Sequence, residues 1–232
     1  MAGHGVAVSK PLAPALLFSA LFFIPVFALF LIPGGSRSIG VYAVSAFLLA
    51  LALALASWGV GLRRGLSYIG IFPLPKNRGQ AFHIAKWAIA AFLLSCLLTG
   101  AVSYALQALG ILDSQLVEQK LLTLPFPALV IAFTLSPLGE EALFRGYFFK
   151  KIAETTQGSG KPSAAAYAAG AMFSSLLFAI LHFSYGSIAE ILVAFFVGLA
   201  LCFCTRKSGS LLPAILAHAA FNFLSIIVTV FL

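Results

Sequence analysis

The chain has 232 residues, 62% of them hydrophobic and only 9% charged, with a mean hydropathy of +1.08. A soluble domain is about half apolar and about a quarter charged, so this composition excludes a soluble enzyme. It gives an all-α polytopic membrane protein, expected as a single transmembrane domain over residues 1–232. The net charge of +8 sets topology and does not imply nucleic acid, because the cations fall in the breaks between apolar runs.

Runs of about 20 apolar residues mark spanning helices. Seven are expected, over 11–33, 39–62, 81–108, 121–139, 164–183, 188–205 and 210–231. The first is too long for a signal-peptide core, and no small-residue cleavage site follows it, so it is read as a retained helix. Breaks fall at 33–36, 63–80, 109–120 and 158–162, where Pro, Gly and Ser collect. The fourth run is the least regular, with Pro125, Pro127 and Pro137. It is expected to continue past Pro137 as a second helical piece.

Charge fixes an orientation for these spans. With the N-terminus cytoplasmic, inside positions hold Lys10, Arg63, Arg64, Lys76, Arg78, Arg145, Lys150, Lys151, Lys161, Arg206 and Lys207. Outside positions hold only Arg37 and Lys120, with Lys86 just inside a helix end. The positive-inside rule then places the N-terminus in the cytoplasm and the C-terminus outside, in a membrane expected to be a prokaryotic plasma membrane.

Of six acidic residues in the chain, two are adjacent within apolar sequence, in Gly139-Glu140-Glu141-Ala142-Leu143-Phe144-Arg145. A charge at membrane depth costs a few kcal/mol and marks a functional site by default. Glu141 and Arg145, four apart, share a helix face and pair, leaving Glu140 about 100° away and free. Phe178 and His182 repeat the four-residue spacing, on a stripe that runs back through Ala166, Gly170 and Ser174. That small-residue ridge admits a close neighbour. His218 and Asn222 put an imidazole and an amide on one face of the last helix.

At about 1.5 Å per residue, Glu140 lies roughly 15 Å from Lys150 and His218 roughly 16 Å from Lys207. Both therefore sit near the midplane, in a site expected to open toward the cytoplasm. His182, 21 residues beyond Lys161, reaches that level only if the first turn or two after Pro162 lies along the interface.

A glutamate, two histidines and an asparagine are the parts needed to hydrolyse an amide with water. Desolvated Glu140 deprotonates the water, His182 helps hold it, and His218 and Asn222 stabilise the oxyanion. Glu140, His182 and His218 equally suit a divalent metal such as zinc, which would activate the water itself. The sequence leaves both routes open. It contains neither H-E-x-x-H nor G-x-S-x-G.

E-E-x-x-x-R at 140–145, F-x-x-x-H at 178–182 and H-x-x-x-N at 218–222, in this order, resemble the CPBP family. This group comprises CAAX prenyl endopeptidases and bacteriocin-processing (Abi) intramembrane proteases. The similarity covers about 121–232, the expected catalytic core. It implies a helical membrane peptidase with a buried, cytoplasm-facing cavity. Glu140 is then the water-activating residue, His182 its partner, and His218 with Asn222 the oxyanion pair. Glu141, Arg145 and Phe178 would position structure or substrate. The implied substrate is a peptide or lipidated protein in the bilayer, either prenylated or leader-bearing. A non-catalytic immunity or scaffold protein and a small permease are the competing readings.

The remaining features are expected to be structural. Cys96, Cys202 and Cys204 are packing residues without a disulfide. Glu190 is an interfacial charge, and Trp58, Trp87, Tyr42 and Tyr68 are membrane-belt aromatics. His83 and Lys86 contact lipid headgroups.

Overall fold

The computed structural model describes residues 35–58, 60–71 and 74–231, so the apolar run at 11–33 lies outside the described residues. Every regular element among the described residues is helical. The order is α1 (Gly35–Ser57), α2 (Leu62–Ile69), α3 (Arg78–Ala108), α4 (Gln115–Leu122), α5 (Phe126–Phe133) and α6 (Leu135–Glu141). A π-helical turn (Ala142–Phe148) leads into α7 (Phe149–Gln157). Then come α8 (Ala164–Leu181), a 3-10 turn (His182–Tyr185), α9 (Ile188–Ser208) and α10 (Leu212–Phe231). Six stretches are long and apolar enough to cross a membrane, and they correspond to the last six of the seven expected spans. The fourth expected span is longer than its apolar core suggested, because α5, α6, the π turn and α7 run on as one piece over Phe126–Gln157.

Local chemistry sets the helix ends. Asn77 and Ser163 accept hydrogen bonds from the backbone N–H of Gln80 and Ala166, capping α3 and α8. Gly209 closes α9 at φ 68°, and Gly186 closes the 3-10 turn at φ 75°, conformations that favour glycine. Asp113, from the loop after α3, caps α9 from outside. It accepts from Ser187 Oγ (2.7 Å) and from the N–H groups of Ile188 (2.7 Å) and Ala189 (3.0 Å). Burial raises the Asp113 pKa, but these three donors outweigh it and hold the carboxyl below its usual value.

Small residues let the helices around the fourth span approach closely. Gly139 lies against the backbone of α1, where a Cβ would collide with the Ser45 carbonyl. Ser45 donates to the Val41 carbonyl at 2.8 Å and receives the Ser136 hydroxyl at 2.7 Å, tying α1 to α6. The ridge expected on α8 is present: Ala166, Gly170 and Ser174 are buried, and a Cβ on Gly170 would stand 2.5 Å from the Phe149 carbonyl. Cys202 and Cys204 are buried and all three cysteines are free. On α3, Ile89, Leu93 and Leu97 form an exposed apolar stripe that suits lipid. Trp58 is exposed at the end of α1, but Tyr42 is buried and belongs to the packing, not to a belt. His83 meets the Ser208 carbonyl at 3.3 Å, linking α3 to the end of α9.

The spans give the bundle two ends of unlike charge. One end carries Arg63, Arg64, Lys76, Arg78, Lys86, Lys150, Lys151, Lys161, Arg206 and Lys207, with Glu154 as its acidic member. The other carries Arg37, Asp113, Glu118, Lys120 and Glu190. Contacts between neighbouring elements hold each end together. Lys150 donates to the carbonyls of Tyr68 (2.6 Å) and Ile69 (3.1 Å) at the first, and Lys120 donates to the Ser184 carbonyl at the second. Arg145, counted with the loop cations from sequence, is instead fully buried within its span.

Candidate active site

The site begins at an irregular helix. Thr134 (φ −114°, ψ −73°) breaks the fourth span between α5 and α6. Pro137 sits in the first turn of α6, where the missing N–H has no partner to lose. The break frees the Ala132 carbonyl, and Asn222 Nδ2 donates to it at 2.9 Å. Seven residues on, the backbone relaxes into the π turn. There the Phe144 carbonyl accepts both the Phe149 N–H and, at 2.7 Å, the Ser174 hydroxyl of α8. Such π turns concentrate at functional sites because they re-aim side chains within a helix.

The two glutamates separate as their spacing predicted. Glu141 is fully buried, and its Oε1 accepts from Arg145 Nη1 and from His218 Nδ1, each at 2.9 Å. The Arg145 guanidinium lies flat against the Phe178 ring, 4.1 Å from its centroid, a cation–π contact in a dry setting. Gly198 makes room for it: a Cβ there would stand 3.1 Å from Arg145 Nη2 and 2.9 Å from Ser175 Oγ. Glu140 points the other way, into a cleft, with its side chain 16% exposed.

Both histidines have one nitrogen fixed. His182 caps the C-terminus of α8, and its Nδ1 lies 2.8 Å from the Phe178 carbonyl, which only accepts. Nδ1 therefore carries the proton, and Nε2 is the nitrogen left for chemistry. Glu141 imposes the same state on His218, whose Nε2 then faces Glu140 Oε2 at 3.7 Å. Phe178 holds the group together, with its ring centroid 4.6 Å from that of His182 and 5.7 Å from that of His218.

A cleft of about 160 Å³ is lined by Glu140, His182 and Asn222 together with Tyr185, Glu190 and Ser136. An adjoining cleft of about 330 Å³ shares Glu140, His182 and Tyr185 and runs out along α1 past Val44 and Leu48. His218 is not in either wall; it stands behind Glu140. The two share a face of α10 as expected, but only Asn222 lines the cleft, while the His218 ring turns to Glu141.

Two residues of the cleft were not anticipated. Glu190 was read as an interfacial charge, yet its Oε1 lies 3.9 Å from His182 Nε2, and Tyr185 stacks on the His182 ring at 5.9 Å. The tight 3-10 turn and Gly186 fold the start of α9 back onto the end of α8, which sequence spacing alone does not reveal. The short helix α4, expected to be an irregular break, adds Val117 and Leu121 to the wall.

The position of His182 is also corrected. α8 is helical from Ala164 onward with no turn laid along an interface, so His182 lies at its far end. It meets Glu140 because the cleft occupies the half of the bundle away from the cation-rich end. Every span that lines the cleft does so from that half.

The fit to a metal is poor in this arrangement. Among the described residues, no three His, Cys, Asp or Glu side chains form a group that could hold an ion, so Glu140, His182 and His218 do not converge as ligands.

A family model for type II CAAX prenyl endopeptidase Rce1-like proteins matches residues 122–224. That stretch is less than half the chain but contains all three motifs, so the resemblance drawn from them is shown. The resemblance is to type II CAAX prenyl endopeptidases. No curated protein and no solved structure matches the chain.

Proposed function

We propose that this chain hydrolyses a peptide bond of a membrane-associated substrate with a water molecule activated by Glu140 and His182. The observation that carries this reading is the pair of histidines with Nδ1 committed to fixed acceptors, one on each side of a free carboxylate in a cleft. Glu140 takes a proton from water held against His182 Nε2, and the resulting hydroxide attacks the carbonyl carbon. The oxyanion receives the second N–H of Asn222, its first being held by Ala132. His218, anchored through Nδ1 by Glu141, places its Nε2 3.7 Å from Glu140 Oε2 and holds that carboxylate in position. As the C–N bond breaks, the proton on Glu140 passes to the leaving amine. Each step uses a side chain or water, and none is routed through a metal.

The test is cleavage of a labelled prenylated CAAX peptide, and of unprenylated membrane-anchored peptides, by purified protein in detergent. Wild-type cleavage abolished by Glu140→Gln supports the reading. Cleavage of no peptide by a folded protein would return the chain to the non-catalytic scaffold class.

A further inference from the structure

We infer that Ser136 touches the substrate: its hydroxyl oxygen accepts a hydrogen bond from a backbone N–H of the peptide lying over Glu140. The inference rests on the endopeptidase reading above and adds a substrate contact that lies outside the three motifs.

The first observation is where the serine protons go. Ser45 Oγ lies 2.8 Å from the Val41 carbonyl, which only accepts, so the one Ser45 proton is spent there. In the 2.7 Å contact between the two hydroxyls, Ser136 is therefore the donor and Ser45 the acceptor. A hydroxyl has one proton and two lone pairs, so Ser136 keeps only acceptor capacity for anything else. Among the described residues, no further hydrogen bond uses that capacity.

The second observation is position. Ser136 and Glu140 stand four apart on α6 and share a face, and both line the two adjoining clefts, as His182 does. The serine is held firmly. Its partner Ser45 is fully buried, and the Ser45 carbonyl lies so near Gly139 that a Cβ there would collide with it. Four residues before Ser136, the Ala132 carbonyl holds Asn222, which lines the same cleft.

The third observation is the balance of donors and acceptors. Water held between Glu140 and His182 points one hydrogen at each, because His182 Nδ1 carries that ring's proton and Nε2 accepts. Neither hydrogen is left for Ser136. A peptide brings a C=O and an N–H at each residue. Asn222 serves the first with its second N–H, and Ser136 serves the second. A peptide N–H that entered the cleft unpaired would give up its water for nothing. Proline at the position read by Ser136 has no N–H to offer and is disfavoured there.

The test pairs a change in the substrate with a change in the protein. Backbone amides flanking the cleaved bond of the labelled prenylated CAAX peptide are replaced by esters one at a time, each removing one N–H. On wild type, one ester position should lower kcat/KM about fivefold, the loss of one neutral hydrogen bond. In Ser136→Ala that penalty should vanish, whatever the variant's own rate. Ser45→Ala breaks the same tie between α1 and α6 but keeps the Ser136 oxygen, so the penalty should remain. An equal penalty in wild type and Ser136→Ala, no penalised position in wild type, or loss of the penalty in both variants overturns the inference. If Ser136→Ala does not fold, Ser136→Cys takes its place, because sulfur is a weak acceptor. Binding of the same peptides to Glu140→Gln, with and without Ser136→Ala, repeats the comparison without turnover. No cleavage by wild type sinks the protease reading, while the binding comparison still decides the contact, and an absent or unchanged binding penalty overturns it.

Discussion

Two neighbouring carboxylates, one peptide bond apart, occupy opposite kinds of environment in this molecule. Glu141 is locked in a dry knot with Arg145, His218 and the Phe178 ring, while Glu140 stands free in a cleft with His182 and Glu190. The difference comes from helical geometry: successive residues diverge by about 100°, so a single helix can aim one acid at the core and the next at a cavity. A buried ion pair contributes little net stability, because desolvation offsets most of the attraction. Its contribution here is positional. It fixes the tautomer and orientation of His218, and the plane of Phe178 on which both histidines rest.

If that division is right, damage to the knot should unfold the protein, and damage to the cleft should spare the fold. The largest effect is expected from Arg145→Ala, which leaves a buried carboxylate without its counter-charge, held only by the His218 N–H, at a cost of about 3–5 kcal/mol. Thermal denaturation in detergent should show collapse of the transition, and a wild-type Tm would contradict the knot. Gly198→Val comes next. It forces a side chain onto Ser175 and Arg145 and should cost about 1–3 kcal/mol as overpacking, read in the same assay.

On the cleft side, Glu190→Gln should leave Tm unchanged and lower kcat/KM by about tenfold, through loss of the carboxylate 3.9 Å from His182 Nε2. An unchanged kcat/KM would return Glu190 to the interfacial role expected from sequence. The smallest effect belongs to Asp113, outside both regions. Its folded carboxyl has a lowered pKa, so its contribution is complete above the ordinary value of 3.8 and is lost as pH falls through the folded value. Asp113→Asn should therefore cost about 1 kcal/mol at neutral pH, because the amide NH2 offers no acceptor to one of the three donors. The gap from wild type should close in strong acid; a gap constant with pH would mean the charge plays no part.

The Glu141–Arg145 pair at the centre of the knot was legible in the sequence, and the cleft only partly so. Glu141 with Arg145, Phe178 with His182, and the ridge of Ala166, Gly170 and Ser174 are relations within one helix, and helical spacing encodes them directly. The six described spans follow from apolar length in the same way. What escaped depends on where chains turn back. Glu190 is seven residues after Phe183 by number, but it reaches His182 through the 3-10 turn and Gly186. The Ser187 cap just before Glu190 makes it look like an ordinary acidic residue in a first helical turn. The contact of His218 with Glu141 escaped as well, because it joins two helices and spacing within one helix does not encode it.

The most direct measurement sets Glu140→Gln beside Glu141→Gln and records kcat/KM and Tm for both. Glu140→Gln should lose about a thousandfold in kcat/KM at a wild-type Tm, on the scale of a removed general base. Glu141→Gln should lose stability first, because Arg145 is then buried without its counter-charge. Full activity in folded Glu140→Gln, or the same loss of Tm in both variants, would contradict the division of roles on which the proposed chemistry stands.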